Sequence, residues 1–547
     1  MDETTDAVAV PVVTVQLEVS PELHGRARME SVAVSAVAKV VADILKKLGI
    51  PGRCDVTWQP NDQLRGSRPL AIYANGRPCR YSDELMVLLY SYVLGKVARP
   101  LDSLSELPEW LTGGDEHLVA EWVTLLCGQA LTQHAGILLG REQARAYCKS
   151  LATNGATYDD AYLAPVLARV LDLGISLSDH GSVTEAIGDN PVEDDLYESL
   201  VSLLRSNSIE VRMERSYLRR LTLAEGARGP ELFTFLRDGL YAELGVEYPS
   251  FQIVPDATLR PGGFVFSVNH VSGAPLIGLP EDRILVNDVP DRLRPMGFTT
   301  EPALNPATYQ TNGIASREDK DRLEAAKLTT WDAFQFLILS LAAELRAKNA
   351  RLVERSMAAQ MLSQIESAFP ELVRASNEHI PVDQLTAILR GLAADQVSLR
   401  NLRRILELLL ECELFVHPGA SVAERISYVK SGLADAIAYK YTRGGSALVV
   451  YLLDVAAEQA IAEGNDLGNL GLAPAIVRAI RAELRNLPSN AVWPILLVGD
   501  AVCASLQKMI ADELPRMRVL SYSQLPPDLN VQPVARIELH HGVEVSP

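Results

Sequence analysis

Three consecutive acids form the densest group of residues in this sequence that could do chemistry. Glu193, Asp194 and Asp195 stand together shortly after Pro191. A general acid–base pair needs two carboxyl groups in one cleft with pKa values that are pushed apart. Here the acids precede an apolar-periodic stretch, and acidic side chains in a first helical turn complement the helix dipole. The pattern therefore favours a helix start over a catalytic pair.

Histidines and glycines offer no better catalytic or ligand-binding candidate. His540 and His541 are the only adjacent pair among nine histidines, and on a strand they would point to opposite faces, which suits a metal poorly. The glycines between Gly464 and Gly471 lack the spacing of a phosphate-binding loop, so we expect an ordinary loop there. Walker, zinc-protease and nucleophile-elbow motifs are missing. We therefore predict no catalytic residue, no metal, no cofactor and no enzyme.

Composition narrows the class of partner. The 547 residues suffice for three or four packing units, and 48% of them are apolar. A formal charge of −18 disfavours nucleic acid and anionic membrane surfaces as partners. The longest nearly uncharged apolar stretches, Ala333–Ala343 and Ala491–Gly499, are shorter than the ~20 residues of a bilayer span. No secretory signal is visible after Met1, and six scattered cysteines indicate reduced core residues in a cytoplasmic protein.

Hydrophobic periodicity predicts a multidomain α+β and α/β protein without a transmembrane part. Val12–Val19 alternates like a strand, and Ser31–Leu48 has the 3–4 spacing of a helix that ends at Gly49. Asn75-Gly76 predicts a tight turn between strands. Small α/β modules alternate with helical domains before a C-terminal α/β layer. The predicted parts are a tail (1–9), an α/β module (10–98), a helical module (99–205), a second α/β module (206–277), an inserted small domain (278–330), a helical domain (331–443), a C-terminal α/β domain (444–540) and a tail (541–547).

Three ordered matches suggest that residues 10–205 (copy one) are a shortened version of residues 206–540 (copy two). The two segments that end at Leu48-Gly49 and Leu244-Gly245 each precede a strand. In the second match, the segment that starts at Leu138 pairs with the one that starts at Leu352. In the third, the segment that starts at Ile175 pairs with the one that starts at Val397. An insertion in copy two would explain the growing offset. The alternative is that helix–Gly–strand units recur in any α/β protein.

Three segments of copy two carry a family resemblance. They are Phe369-Pro370-Glu371-Leu372-Val373, the helix that begins at Val397-Ser398-Leu399-Arg400-Asn401-Leu402-Arg403, and the ending from Pro494 to Ser521. These segments are similar to motifs in the cytosolic domain of the FHIPEP family, the export-gate proteins of flagellar and virulence type III secretion. The cover runs from about 208 to 540. The resemblance implies a protein-binding module that assembles as a homo-oligomeric ring.

Departures from the family pattern indicate which residues to examine. Glu301-Pro302-Ala303-Leu304 resembles a family segment that lines a shallow apolar pocket for chaperone–cargo complexes, but a Leu replaces its Phe, and Leu339 lies near a family Thr. We expect Leu304 to be semi-exposed, so that Leu304→Asp would disturb partner binding and not folding. Arg400, Asn401 and Arg403 replace the family's Arg-Asp-Arg, so we expect a polar contact in place of an ion pair.

The sequence therefore predicts a soluble, non-enzymatic protein-binding scaffold in the cytoplasm, at the periphery of a membrane complex. Its partners would be export substrates, chaperones or secretion components. Two alternatives stay open at this point. The chain could be an adaptor in another cytosolic complex, since fold does not fix function. It could also be an enzyme whose residues meet only in space.

Overall fold

The computed structural model shows two compact units, each built from more than one stretch of chain. The first unit comprises Met1–Arg237, Glu247–Ile284 and Trp331–Ser356, and the second comprises Asp238–Val246, Leu285–Thr330 and Met357–Pro547. The predicted tails, the Gly464–Gly471 loop and the His540–His541 pair lie outside the described residues. The structure describes residues 10–64, 68–151, 158–189, 193–204, 207–225, 228–442, 444–445, 447–463, 472–485, 487 and 494–539.

Copy one opens with a four-stranded sheet whose buried face follows from strict alternation. Val13, Val15, Leu17 and Val19 are at most 1% exposed, as the period of two predicts. The sheet order is β2-β1-β3-β4, with β1 parallel to β2 and antiparallel to β3. The strands and the first helices are β1 (Val12–Val19), α1 (Pro21–His24), α2 (Ala27–Leu48), β2 (Arg53–Pro60), β3 (Leu70–Ala74) and β4 (Arg77–Cys79).

Helices complete copy one. The helix predicted at Asp83–Leu94 is present, and the stretch predicted around 115–150 is divided by a 3₁₀ turn at Ala135–Leu138. The sequence missed the helix that begins at His180, whereas the acidic cluster does start a helix at Glu193. These helices are α3 (Asp83–Val93), α4 (Leu107–Gly113), α5 (Glu116–Gln133), α6 (Arg141–Leu151), α7 (Asp160–Asp172), α8 (His180–Asp189) and α9 (Glu193–Leu204).

Copy two repeats the sheet of copy one. Its order is β6-β5-β7-β8, again with one parallel and one antiparallel neighbour for the first strand, and β9 also pairs with β7. Two long helices connect the parallel strands β5 and β6, whereas in copy one most of the connection between β1 and β2 is the single helix α2. The elements are β5 (Ile209–Glu214), α10 (Arg215–Glu225), α11 (Arg228–Leu244), β6 (Phe251–Asp256), β7 (Gly263–Val268), β8 (Val271–Ser272) and β9 (Leu276–Ile277).

The same close approach occurs after the connecting helix of each copy. Gly49 (φ 71°) and Gly245 (φ 70°) both adopt the left-handed conformation. A Cβ atom on Gly49 would lie 2.6 Å from the Ser178 backbone nitrogen, and one on Gly245 would lie 2.6 Å from that of Arg400. The neighbouring residue of each pair is also bonded, since Leu177 donates to Leu48 and Leu399 to Leu244. Glycine is therefore required at both positions by conformation and by space.

An asparagine in the left-handed region also recurs. Asn75 (φ 48°) and Asn269 (φ 52°) follow the antiparallel strand of each sheet. The side-chain amide of Asn75 donates to the Ile137 carbonyl at 2.9 Å, and that of Asn269 donates to the Arg351 carbonyl at 3.0 Å. Each acceptor lies in a 3₁₀ turn, Ala135–Leu138 in copy one and Asn349–Leu352 in copy two. The matches predicted from sequence thus occupy corresponding places in the two copies.

A small sheet and a helical region follow in copy two. The four-stranded sheet has the order β11-β12-β10-β13. The single helix predicted for Trp331–Met361 is divided by the 3₁₀ turn, and three of the later helices were not predicted. The elements are β10 (Arg283–Val286), α12 (Pro290–Leu293), β11 (Glu301–Leu304), β12 (Thr311–Ser316), α13 (Lys320–Ala325), β13 (Thr330–Trp331), α14 (Ala333–Ala347), α15 (Arg355–Glu366), α16 (Pro370–His379), α17 (Val382–Ala394), α18 (Leu402–Glu411), α19 (Val422–Gly432) and α20 (Ala434–Thr442).

The C-terminal domain is the α/β layer that the sequence predicted. Its sheet order is β16-β15-β14-β17, and all three strand pairs are parallel. β15 is buried along its whole length, as expected for a central parallel strand. The elements are β14 (Ala447–Leu453), α21 (Val455–Ala462), α22 (Leu472–Arg485), β15 (Ile495–Val498), α23 (Asp500–Ile510), β16 (Val519–Ser521) and β17 (Asn530–Ile537). None of the described helices is both long and apolar enough to cross a bilayer.

Candidate protein-interaction surfaces

The groups that could do covalent or metal chemistry are buried or dispersed. All six cysteines are free thiols, and five of them are buried. Burial raises the pKa of the Cys79 thiol to about 12 and that of Cys148 to about 11, which keeps both protonated near neutral pH. Among the described residues, no group of three or more His, Cys, Asp or Glu side chains could hold a metal ion.

The segment that resembles the family's pocket is an edge strand with only half of its residues accessible. In β11, Glu301 and Pro302 are exposed, whereas Ala303 and Leu304 are 1% and 2% exposed. The expectation of a semi-exposed Leu304 is therefore wrong. Leu304 pairs with Thr311 of β12, and its side chain lies in the interior. Leu304→Asp would bury a carboxylate without a partner, so it should disrupt folding.

Leu339 belongs to the first unit and Leu304 to the second. Leu339 is half-buried on α14, and the next residue, Ser340, is 3% exposed. The Ser340 hydroxyl donates to the Phe336 carbonyl one turn earlier at 2.8 Å. A hydroxyl is therefore present beside Leu339, but it is used inside the helix.

Three polar residues before and in α18 form separate contacts. Arg400 donates from Nη1 to the Ala242 carbonyl at 3.0 Å. The Asn401 side chain accepts from the Arg404 backbone N–H and so caps the helix. Arg403 pairs with Glu407 at 2.7 Å. An ion pair between Arg403 and Glu407 thus exists on α18. The sequence had predicted a polar contact in place of an ion pair here, because Asn401 replaces the family's Asp.

The most exposed aromatic residue of the described chain lies just after α18. Residues Cys412–Val416 form a π-helical turn, which we call the knob. Leu414 is 43% exposed, Phe415 is 80% exposed and Val416 is 41% exposed. Sequence reasoning ended the helix at Leu410 and missed this site. Its only local signal was an apolar run directly before the His-Pro-Gly stretch at 417–419.

The knob is held by a buried charge. Arg425, 5% exposed, pairs with Glu413 inside the knob, and its Nη1 donates to the Gln384 side chain at 2.9 Å. The other Glu413 oxygen accepts from the Gly419 backbone N–H at 3.3 Å. Because both sides of the turn are tied to one carboxylate, the apolar side chains project from a fixed backbone.

A second exposed surface is positively charged. On α10, Arg215, Arg219 and Leu223 follow one another at a spacing of four residues, so they share one helix face. All three are exposed, and Leu223 reaches 79%. Within the described part of the chain, neither arginine has an ion-pair partner. We call these three residues the α10 stripe.

These modules place the chain in a class of multidomain proteins in which small α/β modules alternate with helical domains. The FHIPEP family model matches residues 128–530, so the chain belongs to the FHIPEP family. Its sequence is 28% identical over 310 residues to the low calcium response locus protein D of Yersinia pestis, covering 55% of this chain and 44% of that protein. The flagellar biosynthesis protein FlhA of Bacillus subtilis is 24% identical over 358 residues, covering 62% and 51%. The chain therefore spans about half the length of these relatives.

A solved structure matches more than half of the chain. The CdsV protein of Chlamydia pneumoniae superimposes with a TM-score of 0.55 at 25% identity, covering 60% of this chain and 98% of that one. The predicted resemblance to the cytosolic domain of the type III secretion export gate is confirmed. A substantial part of the chain lies outside the matched region.

Proposed function

We propose that this chain is a non-enzymatic scaffold of a type III protein-export machinery, which binds other proteins and associates with further copies of itself. The observation that supports the proposal is the match to 98% of the solved CdsV chain, because almost all of that chain has a counterpart here. The buried thiols and the lack of a metal-ligand cluster among the described residues also fit a binding role.

A second solved structure supports a protein partner. CdsV has been solved in complex with the protein CdsO, and that CdsV chain matches with a TM-score of 0.53 at 26% identity. We propose that this chain takes a counterpart of CdsO, together with export substrates or chaperones.

The exposed end of β11 is the proposed contact for cargo or chaperone. Glu301 and Pro302 remain accessible there, on the edge strand of their sheet, whereas Leu304 supports the strand from inside. Secondary contacts are proposed at Leu339, at Arg400 and Asn401 directly before α18, and at Arg403 within it. Edge strands present unpaired backbone groups, which suits a partner that binds in extended form.

Affinity capture of the tagged full chain from its host, followed by mass spectrometry, tests this function. We expect secretion components to be enriched over a tagged control protein of similar charge. Glu301→Lys should reduce one or more of those partners several-fold, because it reverses an exposed charge beside the contact. Glu378→Lys on α16 is the matched control, since it reverses an exposed glutamate elsewhere.

Recovery of a different complex without secretion components would favour the adaptor alternative. An equal partner profile for Glu301→Lys and Glu378→Lys would remove the β11 contact while leaving the scaffold function in place.

A further inference from the structure

The knob has the features of a binding hot spot. Its three apolar side chains are consecutive and exposed, and hot spots are typically aromatic residues surrounded by weaker contacts. Because Arg425 and Gly419 fix Glu413 from two sides, docking would cost little ordering of the turn. A π-helical turn is rare and frequently marks a functional site.

Charge around the knob indicates what kind of surface it fits. Glu411 directly precedes the knob, and Glu424 in the first turn of α19 is close enough to act electrostatically on Cys412; both glutamates are exposed. The Ser421 hydroxyl and backbone N–H hold the pKa of Glu424 below its usual value, so this carboxylate stays ionised at neutral pH. Glu413 is neutralised by Arg425. An apolar centre with a net acidic rim fits an apolar surface that has basic neighbours.

The α10 stripe is such a surface, and it belongs to the same chain. Arg215 and Arg219 lead along one helix face to Leu223, and these side chains are exposed in the complete chain. Leu223 gives this face an exposed apolar contact point beside two positive charges.

We propose that the knob of one molecule docks on the α10 stripe of a second copy of this chain, with Phe415 against Leu223 and the carboxylates against the arginines. The proposal rests on the self-association included in the proposed function and names the surfaces that form the contact. Because knob and stripe are different surfaces, the contact is head-to-tail, and it gives a ring if its rotation closes.

Sedimentation velocity of the purified full chain over a wide concentration range tests the contact. Phe415→Ala should weaken self-association about tenfold or more, because truncation of a central aromatic anchor removes most of a hot spot's contribution. Tyr439→Ala is the matched control, since Tyr439 is an aromatic residue of the same unit that is 70% exposed. Unchanged thermal unfolding of both variants shows that the fold is retained.

A charge exchange tests the orientation. Arg219→Glu and Glu411→Arg should each weaken association several-fold at low salt, and the double variant should recover much of the loss. High salt should reduce the difference between these variants, because exposed charges are screened.

Two outcomes would overturn the contact: a wild-type chain that is monomeric at every concentration, or self-association that Phe415→Ala leaves equal to that of Tyr439→Ala. Either result leaves the capture of secretion components unaffected, so it is distinguishable from failure of the proposed scaffold function.

Discussion

Copy one and copy two close the same turn in different ways. The turn after α7 contains Gly174 (φ 76°), and the corresponding turn after α17 contains Gln396 (φ 56°). A Cβ atom on Gly174 would overlap the Val271 side chain, which comes from the β8 strand of copy two. Gln396 instead keeps its side chain, and Lys440 of α20 donates to its backbone carbonyl at 2.7 Å. The glycine is thus required where another module presses on the turn.

The difference between the two turns shows how copy one is covered although it is shorter than copy two. Copy one ends with α9, which packs on α7 and α8 as α19 packs on α17 and α18. The described residues of copy one include no counterpart of α20 or of the C-terminal domain, so the turn after α7 would be left uncovered. In the first unit, copy two supplies the cover: Arg260 pairs with Glu121, and its backbone N–H donates to the Tyr92 hydroxyl at 3.1 Å. Gln129 also donates to the Gly273 carbonyl at 3.0 Å. Copy one is therefore packed onto its neighbour module and is not an independent appendage.

The largest expected effect is the loss of stability when Gly174 is replaced. Gly174→Ala should destabilise the protein by about 3 kcal/mol, because overpacking adds to the cost of a left-handed alanine. Gly95→Ala is the matched control, since Gly95 has φ 66° and no atom near its Cβ position, so its loss should be about 1 kcal/mol. Denaturant unfolding measures both. Equal losses would show that the Val271 contact yields without cost.

Gly49→Ala and Gly245→Ala test whether the equivalent glycines of the two copies contribute equally to stability. Both would bring a Cβ atom to 2.6 Å from a backbone nitrogen, a less severe overlap than the one with a Val271 methyl group at Gly174. We expect losses of roughly 2 kcal/mol or more for each, of similar size in the two copies. Thermal unfolding measures the pair. A large loss in one copy only would contradict the structural equivalence.

The smallest expected effect is the pH dependence of stability that one carboxylate of copy two, Glu214, contributes. Burial tends to raise the pKa of Glu214, but hydrogen bonds from Ser216 and the Tyr217 backbone N–H outweigh it and lower the pKa to about 2. Ser20 stands between strand and helix at the same point of copy one. Because the pKa is lowered in the folded state, Glu214 stabilises the fold above its usual pKa near 4.5, and this contribution is lost as the pH falls toward 2.

Glu214→Gln should therefore cost roughly 1 kcal/mol at neutral pH, after allowance for solvent screening, and little near pH 2. Stability measured against pH for both proteins is the test. Parallel curves for the variant and the wild type would remove Glu214 from the acid response.

The candidate surfaces were only partly predictable from sequence. The resemblance pointed to residues that lie in β11 and at the start of α18, and their role in partner binding stays a proposal. It could not give the burial of Leu304, because a strand of four residues does not reveal which of its ends the neighbouring elements cover. The exposure of Phe415 was missed for the same reason, since an apolar run normally predicts a buried segment.

Local features were determined by the sequence itself. The alternation of β1, the left-handed Asn75-Gly76 turn and the helix ends at Gly49 and Gly245 depend on residue conformation and period, which neighbouring residues alone define. Only the tertiary structure decided that Val271 presses on Gly174, that Arg425 fixes the knob and that Leu304 lies inside. Those outcomes depend on contacts between residues far apart in the chain, and no local pattern encodes which surfaces meet.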